Sequence, residues 1–175
     1  MGGDSILERA NLWAPWRIPY IRDIGQSDGC FLCRDVAHPE QDAENLVVWR
    51  TARSLVVLNR FPYNNGHLLI APVRHIATLD ETAEDEMLEL VKLVREAQRA
   101  LSLAIRPAGF NVGLNFGRCA GAGLPGHMHI HVVPRWEGDT NFMGVCSDTR
   151  VISQSMLDLW AELKQVSEKH GLPGL

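Results

Sequence analysis

The segment His127-Met128-His129-Ile130-His131-Val132-Val133 restricts the fold of this chain more than any other stretch. Successive side chains of a strand point to opposite faces. As a strand, the segment sends His127, His129 and His131 to one face, about 7 Å apart at each step. Met128, Ile130 and Val132 face the other way, where a helix covers them. Three imidazoles so placed cost stability unless a ligand or metal uses them. The loop before them, GRCAGAGLPG over residues 117–126, is rich in glycine. Glycines let a backbone approach a ligand closely and turn its N–H groups inward, into concavities that hold phosphate oxygens. A histidine row beside such donors points to chemistry at phosphorus, because imidazole is neutral and nucleophilic near pH 7.

The remaining pattern supplies the layers. NLVVW and SLVVLN, separated by the polar RTAR, read as a β-hairpin. FPYNNG is a turn and HLLIAPV a further strand, with Pro72 near its end or on an edge. Residues 82–105 form the clearest helix. Ala83, Met87, Leu90, Val91, Val94, Ala97, Leu101, Ala104 and Ile105 make one stripe, with Thr82 as N-cap and Glu84 in the first turn. FNVGLNFG alternates as a strand, and residues 153–170 form a second helix with Met156, Leu159, Trp160 and Leu163 inside. The order β-β-β-α-β-β-α predicts an α+β fold with a mainly antiparallel sheet. Residues 1–29, with Trp13 and Trp16, are expected to be an arm packing on the domain or on a partner chain, and residues 30–175 a single domain.

Composition narrows the function. A net charge of −4 over 175 residues leaves no broad basic face for nucleic acid. No apolar run reaches the roughly 20 residues of a membrane span, and MGGDSILERANLW has no secretory core segment. A soluble, cytoplasmic protein is expected, and its four cysteines fit a reducing compartment. Cys30 and Cys33 form a CxxC pair with metal-ligand spacing. One such pair supplies two ligands, with His75 and His127 the candidates for the others; the alternative is two buried thiols. A thioredoxin-like setting, in which a CxxC opens a helix, is not expected. His67 supports the fold beside the site or serves as a ligand, and Trp136 is a core aromatic or a base-stacking platform.

The pattern HMHIHVV resembles that of the histidine triad family, and the agreement extends from about Cys30 to Phe142 through CFLC, LNRFPYNNGHLLIAPVRH, FNVGLNFG and HMHIHVVPRWEGDTNF. WAPWR and PRWEGDTNF look most like the branch containing bacterial diadenosine tetraphosphate phosphorylases. The resemblance implies a five-stranded antiparallel sheet with two helices, pairing as a homodimer into a ten-stranded sheet. It implies a nucleotidyl hydrolase or transferase acting on dinucleoside polyphosphates, with phosphate or water as acceptor. His129 would be the nucleophile and His131 a hydrogen-bond partner of a phosphate oxygen. Asn59 falls where a ribose contact is placed, and Asn115, Gly123 and Leu124 fall where phosphate contacts are placed. Zinc-containing relatives draw a third ligand after the third strand and a fourth from the first triad position. That arrangement gives a structural zinc at Cys30, Cys33, His75 and His127, and no organic cofactor. The chain departs from many members in lacking a Gln or Ser just before the triad, and Pro125 has no N–H to give. Alternative functions are a purine nucleoside phosphoramidate hydrolase and a zinc-stabilised nucleotide-binding module without turnover.

Overall fold

A computed structural model describes residues 29–139 and 152–175. The arm expected over residues 1–29, with Trp13 and Trp16, lies almost wholly outside the described residues, as do Cys146 and the end of PRWEGDTNF. Five strands form one antiparallel sheet: β1 (Val47–Arg50), β2 (Ser54–Leu58), β3 (Leu68–Pro72), β4 (Gly109–Leu114) and β5 (Ile130–Arg135). Their spatial order is β1-β2-β3-β5-β4. Among the described residues there are three α-helices, α1 (Phe31–Ala37), α2 (Glu84–Ile105) and α3 (Met156–His170), where two were expected. No helix among them is long and apolar enough to cross a membrane.

The extra helix is the CxxC segment. Its seven residues are too few to show a helical period. Packing holds it in place: Leu32 is fully buried against Val47, Leu55, Val57, Leu69 and Ala71 on one face of the sheet. The Cys30 sulfur accepts from the Cys33 N–H at its N-terminus. At the other end the Arg50 guanidinium, from β1, donates to the carbonyls of Asp35 and Val36 while pairing with Asp42. The CxxC pair thus opens a short helix, which the sequence did not indicate.

The opposite face carries the larger core. Val56 and Leu58 of β2, Leu68 and Ile70 of β3, and Ile130 and Val132 of β5 pack against α2 and α3. Along α2 the buried stripe is Leu90, Leu93, Ala97, Ala100 and Leu101. Met87 and Val91, expected inside, are exposed, Val91 by 60%. The N-cap is Ala83 rather than Thr82, and the Glu86 carboxylate accepts from the Ala83 N–H at 3.0 Å. A glycine is required in the turn before β3. Gly66 has φ +76°, and a Cβ there would lie 2.7 Å from the Ile105 side chain. Helix α3 closes the β1 edge: Trp160 and Lys164 donate to the Val47 and Val48 carbonyls at 2.8 and 3.2 Å.

The strand expected over HMHIHVVPR begins later. His127, Met128 and His129 precede β5, and the Met128 N–H bonds to the Ile76 carbonyl at 2.7 Å. Segment 73–82, which carries His75, is fixed to α2 by buried Glu86. That carboxylate accepts two hydrogen bonds from Arg74, at 2.7 and 2.6 Å. The Arg74 guanidinium, then the Ala83 N–H, hold the Glu86 carboxyl at about 2. Because the folded value lies below the unfolded one, about 4.3, the stabilisation is complete above pH 4.3 and is lost as the pH falls toward 2. Glu86→Gln should therefore lower stability by about 1–2 kcal/mol at pH 7, discounted because Arg74 is half exposed. Denaturant unfolding of both proteins should show the gap narrowing between pH 4.5 and pH 2.5.

Candidate active site and metal centre

The α1 face of the sheet gathers the titratable side chains. His131 lies opposite Leu69 in the β3–β5 register, so it shares that strand's α1 face. The preceding residues enter from the glycine-rich loop. Instead of an open row of imidazoles, His127 is fully buried, His129 is 8% exposed and His131 is half-buried. Burial pushes all three imidazoles below their ordinary pKa, His131 to about 4 with the neighbouring His129 adding to the effect. Burial thus favours the neutral form of all three rings.

His127 has both ring nitrogens assigned by its neighbours. Nε2 lies 2.8 Å from the Pro72 carbonyl, an acceptor only, so the Nε2–H donates there. The unprotonated Nδ1 faces sulfur, 3.1 Å from Cys30 and 3.5 Å from Cys33. His75 adds its Nδ1 at 3.1 Å from the Cys33 sulfur. The four ligand atoms lie within 4.8 Å of one another. This donor set fits a zinc ion. Two thiolates and two neutral imidazoles make a closed tetrahedral set, whose edges are about 3.3–3.8 Å for ordinary Zn–S and Zn–N bonds. Without a cation, burial and then Cys30 push the Cys33 thiol up to about 11. A divalent ion at this point reverses that preference.

His129 is oriented by the same segment. Its Nδ1 lies 2.9 Å from the His127 carbonyl. The Nδ1–H therefore donates, and Nε2 keeps its lone pair. The His129 and His131 rings meet edge to face with centroids 4.9 Å apart. His131 Nδ1 is 2.9 Å from His67 Nε2, and its Nε2 is 3.4 Å from the Asn115 amide. His67 is fully buried. Its Nδ1 is reached by the Tyr63 N–H at 3.1 Å and by Asn59 Nδ2 at 3.2 Å. The Tyr63 ring stacks on both His67 and His131.

The geometry thus separates the sequence-predicted residues into two groups. Cys30, Cys33, His75 and His127 form one cluster; Asn59, His131 and Asn115 lie along one hydrogen-bonded line through His67, and His129 meets that line through its ring contact with His131. In the loop, the N–H groups of Ala120, Gly121 and Ala122 close a turn on Gly117 and Arg118. The N–H groups of Gly123 and Leu124 take no part in that turn, and the Leu124 side chain packs against the core that contains Leu32. Trp136 donates from its indole to the Arg106 carbonyl at 3.2 Å, away from the histidines. The direct bond between His67 and His131 was not read from the sequence. The strand alternation that puts His67 on the same face as Leu69 and Ala71 was the available signal.

Comparison with known proteins agrees with this arrangement. The HIT domain family model matches residues 40–138. The AP-4-A phosphorylase of Mycobacterium tuberculosis strain H37Rv is 39% identical over 153 residues, spanning 84% of this chain and 78% of that protein. The asymmetrical bis(5'-nucleosyl)-tetraphosphatase of Schizosaccharomyces pombe is 31% identical over 93 residues, covering 53% of this chain and 50% of that protein. Among solved structures, a zinc-bound histidine triad family protein from Mycobacterium smegmatis shares the fold. Its TM-score is 0.65 and its identity 24%, covering 81% of this chain and 94% of that one. The family model spans more than half of the sequence, and a relative 39% identical covers most of both chains, so this chain belongs to the histidine triad (HIT) family.

Proposed function

We propose that this protein transfers a nucleoside monophosphate from a dinucleoside polyphosphate, with His129 as the nucleophile. One observation carries the reading: the His127 carbonyl takes the Nδ1–H of His129, which leaves Nε2 unprotonated in a neutral ring. The similarity to the AP-4-A phosphorylase and the tetraphosphatase supports the substrate class.

In the first step Nε2 attacks the α-phosphorus. A P–N bond forms, the P–O bond to the nucleoside polyphosphate breaks, and the electron pair leaves on that oxygen. In the second step an oxygen of inorganic phosphate, or water, attacks the same phosphorus and the P–N bond breaks. Splitting the transfer in this way replaces one difficult displacement by two easier ones. By family position, His131, Asn115 and the Gly123 and Leu124 N–H groups are assigned to the phosphoryl oxygens, where donors stabilise the developing charge. Asn59 is assigned to the ribose by family position. The small residues Gly121 and Gly123 leave room for a phosphate acceptor, and Arg118 offers a bidentate partner for it. With diadenosine tetraphosphate, ATP leaves first, then phosphate yields ADP and water yields AMP. His129→Gly should cut turnover by at least 1,000-fold while nucleotide affinity stays within about fivefold. Rapid-quench trapping of the nucleotidyl-protein, followed by decay with and without phosphate, checks the step. A variant that turns over normally, or an intermediate that decays identically to AMP in both buffers, contradicts the nucleophile or the acceptor respectively.

The reading extends to one zinc per chain held by Cys30, Cys33, His75 and His127. The ion ties α1 to the segment after β3 and to the residue before Met128, and its role is structural because the four protein ligands close the shell. Elemental analysis of protein purified without chelator should give one zinc per chain. The double change Cys30→Ser and Cys33→Ser should abolish that zinc and lower the melting temperature by more than 10 °C, since binding energy at such a site is folding energy.

The protein is further proposed to be a homodimer. The outer edge of β4 pairs with no strand among the described residues, Val112 on it is 45% exposed, and Leu88 and Val91 lie exposed on α2. Light scattering at micromolar concentration should give twice the chain mass, and Val112→Lys should shift the protein toward monomer.

A further inference from the structure

We propose that Cys30 and Cys33 are a peroxide-oxidisable pair: as thiolates they hold the metal ion, and as a disulfide they release it and untie helix α1 from the histidine segment. The inference rests on the zinc reading above, and on the proposed nucleotidyl transfer only for its kinetic consequence.

The turn that carries the pair sets it up for this exchange. Cys30 is the N-cap of α1 and Cys33 its third residue. The Cys33 N–H reaches the Cys30 sulfur at 3.5 Å, so the Cys30 side chain folds back over the turn toward Cys33. All four ligand atoms, the two sulfurs among them, lie within 4.8 Å of one another. Cα atoms three apart in a helical turn are about 5 Å apart, inside the roughly 4.4–6.8 Å that a disulfide spans. Side-chain rotation alone therefore joins the sulfurs.

Access to the cluster is one-sided. His75 is exposed, both cysteines are partly exposed, and His127 is fully buried. Cys33 is the sulfur beside His75, at 3.1 Å. Cys30 is the sulfur nearer His127, at 3.1 Å against 3.5 Å for Cys33. A small oxidant arriving from solvent meets Cys33 first, and Cys30 resolves. The Cys33 thiolate attacks one oxygen of hydrogen peroxide, the O–O bond breaks and hydroxide leaves, giving a sulfenic acid. The Cys30 thiolate attacks that sulfur, an S–S bond forms, the S–O bond breaks and a second hydroxide leaves. Two thiolates are oxidised to one disulfide, and one peroxide is reduced to two hydroxide ions. Two imidazoles are then the only ligands left, too few to retain the ion.

The elements that the cluster joins keep their other anchors. The His127 Nε2–H still donates to the Pro72 carbonyl, Arg74 still holds segment 73–82 on Glu86, and Leu32 still seats α1 under the sheet. Oxidation removes a tie without dismantling the fold, so it is reversible. What it weakens is the support of His127, whose carbonyl orients His129.

The test treats two zinc-loaded proteins with hydrogen peroxide: wild type, and the Cys119→Ser, Cys146→Ser double variant, in which the pair supplies the only cysteines. A chromogenic chelator reads released zinc, intact mass with peptide mapping reads the cysteines, and far-UV circular dichroism reads the fold. Both proteins should release one zinc per chain as a Cys30–Cys33 link forms and the mass falls by about 2 Da. The dichroism should stay unchanged while kcat with diadenosine tetraphosphate falls at least about fivefold. Dithiothreitol with added zinc should restore metal and turnover together. Zinc retained with the pair still reduced in excess peroxide overturns the proposal. So does sulfinic or sulfonic acid in place of the disulfide, or a disulfide that leaves kcat unchanged. Protein isolated without zinc instead refutes the metal reading on which the proposal stands. Zinc-loaded protein that makes the exchange but turns over no dinucleoside polyphosphate refutes the transfer reaction and leaves the redox exchange supported.

Discussion

The fully buried imidazole of His127 is the contact on which the site is built. Through Nε2 it donates to the last carbonyl of β3, and through Nδ1 it faces the two sulfurs of α1. Its own carbonyl takes the proton of His129. One residue therefore joins a strand end, a short helix and the entry to β5, and it also decides which nitrogen of its neighbour is basic. Losing that ring would leave the Pro72 carbonyl without its donor and the Cys30 sulfur without its imidazole, a cost of the kind that buried unsatisfied groups impose.

The rest of the α1 face depends on this join. Helix α1 has one buried leucine, a sulfur at its first turn and an arginine from β1 on its last carbonyls. Seven residues have no independent helical stability. Segment 73–82 likewise has no regular structure apart from a single turn, and it is held by Arg74 on Glu86 and by Glu81 on the N–H groups of Ala77 and Thr78. Three residues of the cluster, Cys30, Cys33 and His75, thus come from segments that cannot hold their own shape, whereas His127 comes from the same continuous chain that carries His129 and His131 into the sheet. A cation at the cluster would fix the former to the residue whose carbonyl orients His129.

The sequence announced the large elements because their signals are long. Helix α2 shows its stripe over 22 residues, and the sheet strands alternate or carry β-branched runs. It announced the cysteine and histidine cluster because CxxC spacing is short-range. It did not announce α1, whose helical form comes from Leu32 packing under the sheet rather than from any period of its own. Nor did it announce that the triad face is buried. Alternation shows which side chains share a face, but not what lies over it, and here α1 and the glycine-rich loop supply that cover. The bond between His67 and His131 escaped for a related reason: alternation gives the face on which His67 lies, but its partner appears only when β3 and β5 pair.

The two edges of the sheet differ. On β1, the carbonyls of Val47 and Val48 are occupied by an indole and an ammonium group from α3. On β4, no strand among the described residues meets the outer edge. A sheet with both edges bare invites end-to-end growth. With one edge occupied, any strand-to-strand association through β4 terminates itself, because two copies meeting at that edge present only capped edges outward. Two side chains of α3, Trp160 and Lys164, would thus limit any such association to a pair, at the opposite end of the sheet from the site.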